Sequence, residues 1–197
     1  LFAGDVRLPG MVYASIRHGP IGDCTLKEFD GKAASGVRGM LSIVRHKRWL
    51  AAVATNWWAA EKALTEMAAS FDYRNGASSE RIDDILGKAL RVGDAIRVFE
   101  AGDPDEKLAR DFALALRYDV APALHATLET ASATARLADG KLELWVASQA
   151  PEAARNAAAK ALGLSERDVV LYPMPAGGSF DRRLEHDHAV EAAIIAQ

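Results

Sequence analysis

Hydrophobic and polar positions divide the chain into three stretches. In the first, Met11–Ile16 is a short β-prone run, broken at 18–25 by HGPIGDCT. Val37–Val44 is a second short apolar run, and Trp49–Thr55 (WLAAVAT) is compact, apolar and flanked by polar residues, the pattern of a buried strand. Asn56 follows as an N-cap, and Trp57, Ala60, Leu64 and Met67 recur at helical spacing, which predicts a helix to about Ala69. Strand, cap and helix in direct succession make residues 1–73 an α+β module.

The stretch 74–109 is a connector. It holds two turn-rich segments, RNGASSE and AGDPDE, with a helix predicted over Ser79–Val92 and a short strand over Ala95–Phe99. Residues 110–197 form the third stretch. Phe112, Leu114, Leu116 and Tyr118 fall on one alternating face, which predicts a strand. Thr130–Leu137 and Lys141–Ala147 flank Asp139-Gly140, a strong hairpin signal. Pro151 opens a helix with Ala154, Ala157, Ala158, Ala161 and Leu162 on one face and Gly163 as its C-terminal cap. Asp168–Tyr172 is a further strand. A final helix places Ala189, Val190, Ala193 and Ile194 on one face.

Composition narrows the class. Of 197 residues 50% are apolar and 26% charged, with formal net charge −3, so the chain can bury a core and is not a disordered segment. A single cysteine, Cys24, excludes a disulfide scaffold and by default is an inert thiol. No apolar run approaches the ~20 residues of a membrane span. The mild acidity argues against nucleic-acid binding, and Arg45-His46-Lys47-Arg48 reads as a solvated face. The chain begins at Leu1 with no initiator Met and no signal-peptide pattern.

Candidate chemistry lies in two strand-to-helix loops, where free backbone N–H groups and the helix dipole favour anions. The first is Ala147-Ser148-Gln149-Ala150. Gln149 either directs an amide toward a ligand or, with Ser148, caps the helix. The second is Ala176–Arg183 (AGGSFDRR), where paired glycines permit close backbone approach and two arginines supply charge; a plain turn is the alternative. It matches neither the Walker loop nor the dinucleotide fingerprint. Glu185-His186-Asp187-His188 has the composition of a metal site. Its histidines are two residues apart, however, so they point to different sides of a helix, and no metal ligand is assigned. Trp57 and Trp58 read as core or interface packing.

Four segments, in order, resemble the large, molybdenum-binding subunit of the xanthine dehydrogenase/aldehyde oxidase family, in its isoquinoline 1-oxidoreductase branch. AGDVRLPGMVYASIRHGP at 3–20 is similar to the opening of its α/β-hammerhead domain. WLAAVATNWWAAEKAL at 49–64 is similar to that domain's strand and helix. HATLETASATARLADGKLELWVASQAPEAAR at 125–155 resembles the block that ends T-Q-x-P, and ALGLSERDVVLYPMPAGGSFDRRLEHD at 161–187 resembles the block containing G-G-G-F-G-R-R.

The resemblance implies an α+β fold with a hammerhead-like domain at 1–73, a connector at 74–109 and the first part of a molybdopterin-binding domain at 110–197. It implies a molybdopterin cofactor, in the cytosine dinucleotide form, carrying molybdenum. Gln149 aligns with the glutamine beside the metal's oxo ligand. Gly177, Gly178, Ser179, Phe180, Asp181 and Arg182 align with the glycine-rich cofactor loop. Two positions depart from the pattern: Ser179 replaces a glycine, and Asp181 sets a carboxylate near an anionic cofactor unless Arg182 or Arg183 compensates it. The family's catalytic glutamate lies near the end of a much longer subunit, and no residue here matches it. Glu129 is read as structural.

The resemblance further implies hydroxylation of N-heterocycles or oxidation of aldehydes with a water-derived oxygen, and an iron–sulfur partner subunit that takes the electrons. The chain is then expected to be a fragment, inactive by itself. The rival reading is a scaffold or assembly module without molybdenum. A stand-alone small enzyme is disfavoured because no acid–base pair is identifiable.

Overall fold

A computed structural model describes residues 1–74, 76, 78–92, 95–109, 113–124 and 126–197. Three strands of the first stretch form one antiparallel sheet: β1 (Tyr13–His18), β3 (Met40–Arg45) and β4 (Trp49–Ala54), in the order β1-β4-β3. All six residues of central β4 are buried, which is why it reads as a continuous apolar run. Asn56 caps α1 (Trp57–Glu66), its side chain accepting the Ala59 N–H at 2.9 Å. Ala63 and Leu64 of α1 join Leu26, Leu50, Ala52 and Met67 in one core cluster.

Four details of this stretch differ from the sequence reading. Trp57 and Trp58 are exposed (55% and 70%), because the buried stripe of α1 consists of Ala59, Ala60, Ala63 and Leu64, on which the helix packs closely. The helix ends at Glu66 instead of Ala69, with Ala68 turned to φ +45°. That reversal releases β5 (Ser70–Arg74), which has no helical stripe to reveal it. β5 pairs with β2 (Asp23–Glu28) in a two-stranded sheet. The break that the sequence shows at 18–25 is confined to the turn before Asp23.

The stretch 74–109 holds α2 (Ser79–Val92), with the limits read from the sequence, and a short α3 (Pro104–Leu108) capped by Asp103. The strand expected at Ala95–Phe99 is irregular, with Ile96, Val98 and Phe99 exposed. So is the run from 113 to 124, where Leu114, Leu116 and Tyr118 were expected to form a strand; Phe112 lies outside the described residues. Alternation alone does not make a strand. A partner must take up the backbone N–H and C=O groups, and among the described residues none pairs there.

The last stretch builds the second three-stranded sheet, order β6-β7-β8. Asp139 and Gly140, at φ +51° and +73°, join β6 (Ala133–Ala138) to antiparallel β7 (Lys141–Val146) in the hairpin geometry their sequence encodes. α4 (Pro151–Leu162) returns the chain to β8 (Val169–Pro173), parallel to β7, and Gly163 at φ +67° ends it. Leu142, Leu144 and Val146 are fully buried against α4 and α5 (Asp187–Ile195). The helix faces are rotated from those expected. α4 buries Ala154, Ala158 and Ala159 and exposes Ala161, while α5 buries Ala189, Glu191 and Ala193.

The described residues form two compact units. One comprises Leu1–Pro20, Cys24–Tyr73 and Leu124–Gln197, and the other Ile21–Asp23 and Arg74–Ala123. The first unit thus joins segments that the sequence divides between 1–73 and 110–197.

Candidate functional site

Because β7 and β8 are parallel, the chain leaves both at the same edge of the sheet, the position where open α/β sheets bind ligands. The first loop, 147–150, runs from β7 into α4. The second, 174–186, runs from β8 through a 3-10 turn at Arg182–Leu184 into α5. Met174 N–H donates to Val146 O at 3.0 Å, so the ladder continues past the end of β8.

The second loop is built on a buried ion pair. Arg183 is 2% exposed, and its Nη2 donates to Glu129 Oε2 at 2.9 Å and to Glu129 O at 3.0 Å. Its Nε donates to Gly178 O at 2.8 Å. The same Glu129 oxygen accepts the Gly177 N–H at 2.7 Å, and Glu129 N–H donates to Gly177 O at 3.2 Å. This lattice requires the glycines. A Cβ on Gly177 would stand 2.6 Å from Glu129 Cβ, and Gly178 has φ +110° with Thr127 Cβ 3.3 Å from where its own Cβ would be.

The two loops are joined. Gln149 N–H donates to Arg183 O at 2.9 Å, and the Ser148 hydroxyl donates to the same oxygen at 3.4 Å while accepting the Ala150 N–H at 3.0 Å. The Gln149 side chain does not cap α4: its Oε1 accepts the Ser179 hydroxyl. Ser179 Oγ also accepts the Arg183 N–H at 3.2 Å. Several donors remain unspent. Gln149 Nε2 and the backbone N–H groups of Gly178, Ser179, Phe180 and Asp181 have no hydrogen-bond partner among the described residues. Beneath the loop, Glu129 Oε1 and Arg183 Nη1 are buried with no hydrogen-bond partner among the described residues.

Comparison with known proteins gives this arrangement a context. The family model described as a molybdopterin cofactor-binding domain matches residues 91–197. The chain belongs to that family. It is also 26% identical over 206 residues to the beta subunit of isoquinoline 1-oxidoreductase from Brevundimonas diminuta, a match over 98% of this chain and 26% of that protein. Quinoline 2-oxidoreductase from Pseudomonas putida 86 shares its fold, with TM-score 0.70 and 15% identity over all of this chain and 31% of that one. CO dehydrogenase from Oligotropha carboxidovorans is similar, with TM-score 0.63 and 18% identity over 100% and 31% of the two chains. The chain therefore spans about a quarter to a third of the length of these relatives.

For a member of the molybdopterin-binding family, the donor set suits an anionic, acceptor-rich group. The unspent N–H groups and the Gln149 amide are donors, and the glycines remove side chains that would obstruct approach. Phe180 and Asp181 take left-handed φ values of +49° and +62°. Asp181 is the residue that the resemblance sets against a glycine, and aspartate tolerates that region better than most residues. Its carboxylate is not offset by the neighbouring arginines. Arg182 pairs with Asp187 at 3.1 Å and Glu185 at 3.9 Å, and Arg183 is committed to Glu129.

Glu129, set aside in the sequence as structural, is the anchor of this site, and Arg183 shares that role. Only tertiary contact reveals the pair, since 54 residues separate them. Two histidines touch the surrounding frame. His188 Nε2 donates to Ala147 O at 3.2 Å, and burial chiefly holds its pKa below the usual 6.5. His18, on β1, lies 2.6 Å from Glu191 Oε1 of α5, and that hydrogen bond raises its pKa. Among the described residues no three His, Cys, Asp or Glu side chains converge on a metal-binding point.

Proposed function

We propose that this chain is the part of a molybdenum hydroxylase large subunit that holds the pterin-borne metal. The carrying observation is the union of Gln149 with the glycine-rich loop at one sheet edge, with their donors unspent. Gln149 Nε2 and the N–H groups of Gly178, Ser179, Phe180 and Asp181 would bind the molybdopterin, in its cytosine dinucleotide form. Gly177 would leave space, and Arg182, whose side chain is 48% exposed at the rim, would keep the carboxylates of Asp187 and Glu185 paired and away from the cofactor. When bound, the molybdenum supplies the two-electron oxidation that transfers a water-derived oxygen to an electrophilic carbon. Residues 1–73 would be the hammerhead-like domain, 74–109 the connector and 110–197 the start of the cofactor-binding domain.

The parent enzyme would act on N-heterocycles or aldehydes and pass electrons to an iron–sulfur subunit. The names of the matched relatives, isoquinoline and quinoline oxidoreductases, support the heterocycle class. The 197-residue chain alone should be inactive. A full-length polypeptide with its partner subunit should convert an N-heterocycle or aldehyde in the presence of a dye acceptor and incorporate 18O from labelled water. Label taken from dioxygen, or turnover by the 197-residue chain alone, would overturn this reading.

One observation favours a second reading, a scaffold or assembly module without molybdenum. Asp181 places an uncompensated carboxylate in the loop that would face an anionic cofactor. A matured full-length protein devoid of both molybdenum and pterin would support that module.

A further inference from the structure

Ser179 introduces a hydroxyl at a position where the family pattern carries glycine. Its oxygen accepts the Arg183 N–H at 3.2 Å, so its own proton seeks an acceptor. Gln149 Oε1 receives that proton, and among the described residues no other acceptor competes for it. A primary amide is nearly symmetric in shape, and a half turn of its last bond exchanges an acceptor end for a donor end. A hydroxyl donating to Oε1 removes that symmetry and leaves both Nε2 protons free.

The relay has a fixed origin. Arg183 is buried and tied to Glu129 and Gly178 by its guanidinium, and its carbonyl accepts the Gln149 N–H at 2.9 Å. One peptide residue thus holds Gln149 from both sides: directly through the backbone, and through Ser179 at the side chain. Hydrogen bonds running in one direction along such a chain reinforce one another.

We propose that Ser179 is a positioning residue that fixes the Gln149 amide with Nε2 as the presented end, a preset donor for an oxo- or phosphate-bearing ligand. Use of that donor by a molybdenum cofactor rests on the function proposed above; the orientation itself does not.

The chain contains only two glutamines, Gln149 and the C-terminal Gln197, so 15N-glutamine labelling gives two readily separated side-chain amide signals. In the wild-type chain the Gln149 amide should show a heteronuclear NOE typical of ordered groups, well above that of Gln197. Ser179→Ala and Ser179→Gly should lose this difference, and Ser179→Thr should retain it. A wild-type Gln149 amide as mobile as Gln197, or one unchanged in a folded Ser179→Ala chain, would overturn the proposal. A mobile wild-type amide overturns the proposal even if a variant misfolds. Molybdenum analysis of the full-length polypeptide tests the cofactor reading separately: absence of the metal there would remove the ligand assigned to the donor while the NMR result still judges the orientation.

Discussion

Arg183 Nη2 and Glu129 Oε2 lie 2.9 Å apart beneath the glycine-rich loop, and Oε2 also receives the Gly177 N–H. The carboxylate therefore ties a loop backbone, a buried cation and the segment before β6 into one unit. Removing one partner strands the other charge away from water, which costs more than the pair's net contribution. Arg183→Leu should lower the unfolding free energy by about 3 kcal/mol. Glu129→Gln keeps an acceptor oxygen but leaves the buried Arg183 charge uncompensated, and should likewise cost about 3 kcal/mol. Urea unfolding measures both, and small losses would refute the anchoring role.

Gly177 is needed for space. Gly177→Ala forces a Cβ to within 2.6 Å of Glu129 Cβ and should destabilise the chain by about 2 kcal/mol, as overpacking does. Gly36→Ala is the control, since a Cβ there meets nothing within 4 Å and the backbone is not left-handed. It should change stability by no more than about 0.5 kcal/mol. Thermal unfolding of the two variants side by side tests the contrast.

Stability should fall on both sides of the ordinary histidine value of 6.5. His18 binds its proton more tightly when folded, through Glu191 and the nearby Asp187, against burial and Arg182. Its contribution is full below pH 6.5 and lost as pH rises through the raised folded value. His188 and His46, each lowered chiefly by burial, act oppositely, and their contribution is lost as pH falls below 6.5. In denaturation curves at several pH values, His18→Gln should flatten the alkaline side only and His188→Gln should reduce the acid side. A His18→Gln profile parallel to wild type would contradict the assignment.

How far the sequence disclosed this depended on the range of the forces involved. β4, the Asn56 cap, α2, the Asp139-Gly140 turn and the Gly163 cap were legible because each is set by neighbours a few residues away. The strands expected at 95–99 and, within the described residues, at 113–118 do not form because apolar, β-prone residues alone supply no pairing partner, and none is found among the described residues. β2 and β5 were missed because each is defined by the other across 42 or more residues, as the Glu28–Ser70 contact illustrates. At the candidate site, the resemblance singles out Gln149 and the loop at 177–182, which the structure brings together. Glu129, read as structural, has that role, but its pairing with Arg183 and the Ser179–Gln149 bond are products of tertiary contact that the sequence does not reveal.

The proposed function requires that this loop pair hold a molybdenum-bearing pterin. The most direct measurement is the molybdenum and pterin content of the proposed parent polypeptide, matured with the proposed iron–sulfur subunit, for wild type and for Gly178→Val. Near-stoichiometric metal and pterin are expected in the wild type, and both should be lost in a folded Gly178→Val protein. A correctly folded wild-type protein containing neither molybdenum nor pterin would contradict the proposed function.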